Sequence, residues 1–234
     1  MMAIQAAIVS AQRCGGLFLA GCLSNHPDVH CPREEPFRRE SIWQQKLHMG
    51  HAALLGFVLN EPYYAVSMCR LTYDQAFNAR VRGYLLKHQV RIVHLVRAAM
   101  PTVTSTLLAK LEMARGVPRH RFDDKFADDE VLDVGPDEVI KRIAHLLGQR
   151  KRFAEQYADN PQISVQYEEL TKWEGHLALN VTRRICRFLE VPTVLLAAHN
   201  RKMHRRPIES YYRRWEAIEA AIAERDWGID LWTS

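Results

Sequence analysis

The chain has 234 residues, 47% of them apolar and 25% charged, which places it among ordinary globular proteins with enough apolar material for one domain. Its formal charge of +5 and pI near 9.0 accompany a basic cluster of Arg201, Lys202, Arg205, Arg206, Arg213 and Arg214, which fits an anionic partner and leaves nucleic acid and a small phosphorylated ligand both open. Five scattered cysteines with no Cys-x-x-Cys pair argue against a disulfide framework and a thiolate zinc site, and fit a reducing, cytoplasmic compartment.

In chain order, Ile4 to Val9 form a short apolar run, Gly15 and Gly16 follow, and Leu17 to Leu23 resume an apolar pattern. Arg13 in the middle of this stretch makes it a strand, tight loop and helix rather than a signal peptide. No run of 18 or more apolar residues follows, so no membrane span is expected. A second apolar run, Leu54 to Leu59, reads as the second strand, and Asp74 to His88 as one helix leading to Val90 to Val96. The last of these is nearly all Val, Ile and Leu, as a strand buried on both faces should be. Pro101 can occupy a first helical position, with Val103 to Met113 helical behind it. Residues 115 to 134 are charged and weakly patterned, and read as a long, flexible surface loop of the kind that often carries binding function. Val139, Ile143, Leu146, Phe153 and Tyr157 then make a helical stripe, and Ile163, Val165 and Tyr167 alternate as a strand. Two helices close the chain, one with Leu177, Val181, Ile185, Phe188 and Leu189 on a face, the other with Tyr211, Trp215, Ile218 and Ile222. The expected fold is a single α/β domain: a P-loop-like parallel sheet of about four to five strands with helices on both faces, its ligand beyond the strands' carboxyl ends.

Two constellations carry chemistry. The loop Ser10-Ala11-Gln12-Arg13-Cys14-Gly15-Gly16 puts glycines and one cation at a helix start, where backbone N–H groups favour an anion. No Gly-Lys-Ser/Thr follows, so magnesium-dependent nucleotide hydrolysis is not supported. A plain tight turn is an equal reading of the loop taken alone. Arg97 leaves the carboxyl end of the Val90 to Val96 strand, and Ser105 stands eight residues on, so both can serve one phosphate. Its alternative is an arginine paired with a carboxylate.

The order of segments resembles the PAPS-dependent sulfotransferases, especially the branch with bacterial carbohydrate sulfotransferases. The resemblance runs through the opening loop, Ser24-Asn25-His26-Pro27-Asp28-Val29, Glu34-Glu35-Pro36-Phe37, Arg91 to Ser105, Gln166-Tyr167-Glu168-Glu169-Leu170, Ile185 to Pro192 and Lys202 to Ile218, nearly the whole chain in order. It implies transfer of a sulfuryl group from PAPS to an acceptor hydroxyl or amine, with adenosine 3′,5′-bisphosphate as product and no metal. By resemblance, Arg13, Cys14, Gly15, Gly16 and Leu17 hold the 5′-phosphosulfate, and Arg97 and Ser105 the 3′-phosphate. Tyr167 lies on the adenine side, and Arg205 and Arg206 are secondary cations. Glu35 stands as general base with Glu34 as its rival, and such a base must reach the acceptor hydroxyl. Arg13 serves the reaction as well as binding, since in-line displacement at sulfur builds charge on the leaving phosphate.

Two departures qualify the resemblance. Gly16 and Leu17 stand where relatives have hydroxyl side chains, and Gly56-Phe57-Val58 where relatives have Gly-Phe-Lys. A second hypothesis is therefore a weak or inactive sulfotransferase-like module that binds a nucleotide or another anionic partner. A third, nucleic-acid binding through the basic segment, is opposed by the acidic run Asp123, Asp124, Asp128, Asp129, Glu130. His26 reads as a helix cap and His94 as a neutral hydrogen-bonded sheet residue. His48, His51, His199 and His204 share no ligand spacing, so no metal is assigned. Tyr211, Tyr212 and Trp215 read as helix core. Acceptor identity and oligomeric state carry no sequence signal.

Overall fold

The computed structural model describes residues 3–32, 36–37, 50–114, 131–170, 175–197, 207–229 and 231–232. The chain divides into two compact units, Met1–Val96 with Phe153–Asn200, and Arg97–Arg152 with Arg201–Ser234.

The first unit is built on a five-stranded, wholly parallel sheet. Its strands are β1 (Ile4–Ser10), β2 (Val29–His30), β3 (Val66–Thr72), β4 (Arg91–Val96) and β5 (Gln162–Gln166), in the order β2-β3-β1-β4-β5. β1 pairs with β3 from Ile4↔Val66 to Ser10↔Thr72 and with β4 from Ala6↔Arg91 to Ser10↔Leu95. Its last five residues are buried, as a central parallel strand requires. The chain builds β2 and β3 on one side of β1 and then crosses to β4 on the other. That reversal puts the topological switch at the carboxyl end of β1, where open α/β sheets hold their ligands.

The sheet faces are sorted by strand alternation. Ala6, Ile8, Val93, Leu95 and Val165 share one core cluster with α1 (Gly16–Leu23) and α7 (Leu179–Leu189). His94 therefore points to the other face, where its Nε2 lies 2.6 Å from the Tyr73 hydroxyl and its ring packs on Phe153.

Two segments differ from the sequence expectation. Leu54 to Leu59 is not a strand: it lies in and just after α2 (His51–Val58), with Leu54, Leu55, Val58 and Leu59 buried. Their spacing of one, three and one is that of a helix face. The strand on this side of β1 is instead β3, which the sequence reading passed over. The single helix expected over Asp74 to His88 is two, α3 (Tyr73–Phe77) and α4 (Ala79–Lys87). They break at Asn78, whose side-chain oxygen accepts from the Arg80 and Val81 N–H groups at 3.1 and 3.4 Å, an N-cap that competes with helix continuation.

Asn160 ties α4 to β4. Its buried amide donates to the Leu85 carbonyl at 3.0 Å and the Val90 carbonyl at 3.1 Å. Asn160→Leu removes both bonds, but the Leu85 carbonyl still accepts from the Val90 N–H at 3.1 Å, so a stability loss of about 1–3 kcal/mol is expected in denaturant unfolding.

The second unit holds α5 (Ala99–Ala114), most of α6 (Pro136–Gln156), a 3-10 turn at Ile208–Tyr211 and α8 (Trp215–Ala223). Leu132 is buried and bridges to this turn: its N–H donates to the Tyr211 carbonyl and its carbonyl accepts from Arg213. The end of the expected 115 to 134 loop is thus anchored, while 115–130 lie outside the described residues. No described helix is long and apolar enough to cross a membrane.

Tyr212 is buried in this unit, 2.9 Å from the Thr104 hydroxyl. Burial pushes its hydroxyl up from 10.0 to about 12, against smaller opposing effects of Thr104 and Arg142. The folded state holds this proton more tightly than the unfolded chain. The associated stability is therefore complete below the unfolded value and is lost as pH rises from 10 towards 12. Cys31, raised by burial from 9.0 to about 12, acts in the same direction. Thermal unfolding is expected to be flat up to roughly pH 9 and then to fall, less steeply in Tyr212→Phe.

Candidate functional site

The loop after β1 departs from ordinary backbone twice in three residues. Arg13 has φ 64° and Gly15 has φ 83°, while Cys14 between them is not in the positive-φ region. Alternating handedness over successive residues turns their N–H groups towards a common point, the concave arrangement that takes an anion. Gly15 is also the N-cap of α1, with ψ 11° and no side chain to cap it, so the helix start adds its own partial positive charge. Cys14 is buried at 1% exposure and offers the loop only its backbone. Leu17 is partly buried and has no polar side-chain atom, so its contribution is limited to its N–H.

Both loop glycines are held closely. A Cβ on Gly16 would stand 3.0 Å from Cδ of Arg70 and 3.3 Å from the Ser10 hydroxyl. The stem of Arg70 thus lies along the loop, and its guanidinium is near enough to Cys31 to oppose part of the effect of burial on that thiol. Arg70 leaves the carboxyl half of β3 and is the cation that sequence reading missed. The lysine absent at Val58 was sought on a segment that is helical, with Phe57 half exposed. The signal that could have found it is an arginine near the end of Val66 to Thr72, the stretch left unassigned.

A Cβ on Gly15 would stand 2.4 Å from both Cδ2 and Cε2 of Tyr167. Tyr167 follows β5 directly and opens the 3-10 turn Tyr167–Glu169. Sequence alternation had extended the strand through this residue; the strand ends at Gln166 and the ring turns onto the loop.

In the second unit, the Arg97 guanidinium donates from Nη1 to the Ser105 hydroxyl at 3.0 Å. Ser105 is buried and Arg97 partly so. The Arg97 carbonyl accepts from Arg150 Nη2 and from the Thr102 hydroxyl, so its backbone is fixed from two sides. Arg97, just before α5, and Ser105, in its second turn, are therefore brought together. Arg213 and Arg214 both pair with Asp133, at 3.0 and 3.6 Å, which assigns these two arginines of the basic cluster to the surface of their own unit. Glu34, Glu35, Arg205 and Arg206 lie outside the described residues.

His26 and His94 keep structural roles, and His48, His199 and His204 lie outside the described residues. His26 is buried, its Nδ1 accepts from the Asp28 N–H at 3.0 Å and its Nε2 lies 2.8 Å from the Pro192 carbonyl. That pair of contacts requires the Nε2–H tautomer and pins the segment after α1 rather than capping the helix. Tyr211 and Tyr212 are buried, but Tyr211 ends the 3-10 turn and Tyr212 follows it; only Trp215, half-buried, lies in α8. All five cysteines are buried and free. Among the described residues, no cluster of three or more His, Cys, Asp or Glu side chains could hold a metal.

The parallel α/β sheet thus carries a concave, glycine-built loop at its switch point, the carboxyl edge of β1. No family model and no curated protein sequence matches the chain. Among solved structures, it superimposes on a sulfotransferase from Alicyclobacillus acidocaldarius with a TM-score of 0.53 and 17% identity, over 96% of this chain and 97% of that one. A second match is mouse sulfotransferase SULT7A1 complexed with PAP, with a TM-score of 0.43 and 16% identity over 82% of this chain and 60% of that one. The first likeness establishes that the chain has the sulfotransferase fold.

Proposed function

We propose that this chain transfers the sulfuryl group of PAPS to a hydroxyl of a carbohydrate or other small acceptor. The observation that carries the reading is the anion-binding backbone of the Arg13 to Gly16 loop, standing at the end of the central strand of a sulfotransferase fold. Arg13, Arg70 and the N–H groups of Cys14, Gly15, Gly16 and Leu17 bind the 5′-phosphosulfate. Arg97 and Ser105 bind the 3′-phosphate, with Arg205 and Arg206 as secondary cations. The acceptor oxygen attacks sulfur, the bond from sulfur to the 5′-phosphate oxygen breaks, and the bisphosphate leaves with the electron pair. Glu35, or its neighbour Glu34, takes the acceptor proton. Fixed cations and N–H donors at the leaving oxygens lower the barrier because the charge grows where they already point. The carbohydrate class and the base rest on the resemblance of segment order, and five buried, free thiols support a reducing, cytoplasmic setting.

The test is turnover: PAPS is incubated with the protein and a panel of hydroxylated acceptors, and released bisphosphate is measured. Acceptor-dependent release supports transfer. A second reading, a weak or inactive module that binds a nucleotide, is favoured by one observation, the absence of any hydroxyl at Gly16 and Leu17. It predicts tight bisphosphate binding with no release above the rate without protein.

A further inference from the structure

We infer that Tyr167 is a positioning residue for the anion loop, acting through Gly15 on every anion the loop binds, beyond any contact with a nucleotide base. The inference rests on the reading of the Arg13 to Gly16 loop as the 5′-phosphosulfate site. Its basis is steric. The left-handed backbone of Gly15, φ 83°, leaves open the side where any other residue would carry a Cβ, and the Tyr167 ring fills that side with two carbons 2.4 Å from the Cβ position.

The ring is itself backed by rigid structure. Tyr167 packs against the main core cluster, and Leu170, which is 1% exposed, puts Cδ1 3.7 Å from the same Gly15 position. The Leu170 N–H donates to the Tyr167 carbonyl at 3.0 Å, and the Leu170 carbonyl accepts from Ala178 at 2.7 Å. The ring is therefore wedged between a fixed turn and the loop backbone. With that side closed, the loop holds its alternating conformation before a ligand arrives, and less ordering is charged against binding. Glycine at 15 is required twice over, once for φ and once for the ring.

The experiment uses two ligands and two variants. Adenosine 3′,5′-bisphosphate carries a base, whereas inorganic pyrophosphate carries the anion alone. Tyr167→Ala is expected to weaken both by about tenfold, while Tyr167→Phe, which keeps the ring, binds both within about twofold of wild type. Loss for the bisphosphate alone, with pyrophosphate binding unchanged, would overturn the inference and leave Tyr167 as a base contact. Equal loss in the Phe variant would overturn it as well. A thermal-unfolding cycle of Gly15→Ala, Tyr167→Ala and the double variant tests the contact without ligand. Gly15→Ala should cost clearly less in the Tyr167→Ala background, because the clash is gone and only the φ penalty remains; strict additivity contradicts the contact. Wild-type protein that shows the coupling but binds neither probe overturns both the anion-site reading and the role inferred from it, with the packing intact.

Discussion

Arg97→Ala is expected to weaken adenosine 3′,5′-bisphosphate binding by about a hundredfold. A charge-assisted hydrogen bond contributes about 1.5–3 kcal/mol, and a guanidinium that presents two donors to a phosphate loses about 3 kcal/mol when truncated. The side chain is already aimed, with Nη1 on the Ser105 hydroxyl at 3.0 Å and its backbone carbonyl held by Arg150 and Thr102. Little ordering is then left for the ligand to impose. Ser105→Ala should cost about tenfold, since it removes one neutral donor. Arg97→Lys should recover only part of the loss, because an ammonium is a point charge without the planar fork. The unfolding midpoint of Arg97→Ala should move little, as the residue is only partly buried. Isothermal titration of the three variants checks the order. Arg97→Ala and wild type binding alike would remove the 3′-phosphate assignment.

Glu35→Gln is expected to lower turnover by about 10²–10⁴ while bisphosphate affinity stays within a factor of about two, the signature of a lost general base. The residues that flank it are anchored. Cys31, just beyond β2, is buried at 2% exposure, Pro36 is buried, and the Phe37 ring packs on His51 at 4.9 Å between centroids. Glu34→Gln is the control, because the two residues are adjacent and only one is required as base. Steady-state rates at saturating PAPS separate them: a collapse in the Glu34 variant with Glu35→Gln active would reverse the assignment, and two active variants would remove both.

The parts of this molecule that were legible in its sequence are those in which chemistry and local structure coincide. The opening loop shows its glycines and arginine directly, and the β4 strand with Arg97 and Ser105 behind it is a continuous segment that a helical rise brings together. The parts that were not legible depend on partners distant in the chain. Leu54 to Leu59 is as apolar as a strand, and a run of six residues does not distinguish a buried strand from one helix face. Val66 to Thr72 includes Ser67, Cys69 and Arg70, so it lacks the uniform apolarity of β4; its burial comes from pairing with β1 and β2 on its two sides. Mistaking one for the other concealed Arg70 and made Val58 look like a missing cation. Nor does local pattern show that the Tyr167 ring fills the space beside Gly15, since those residues are 152 positions apart. The hydroxyl-poor loop at Gly16 and Leu17 is the clearest departure from the pattern the sequence resembles, and the Arg70 stem beside Gly16 brings a charge there but no hydroxyl.

Adenosine 3′,5′-bisphosphate titrated into the wild-type protein and followed by calorimetry decides whether this fold holds the nucleotide. The predicted result is a single site with a dissociation constant of about 1–100 μM that weakens when Arg13 or Arg97 is replaced by Ala. No binding at millimolar ligand, or binding indifferent to both replacements, would contradict it.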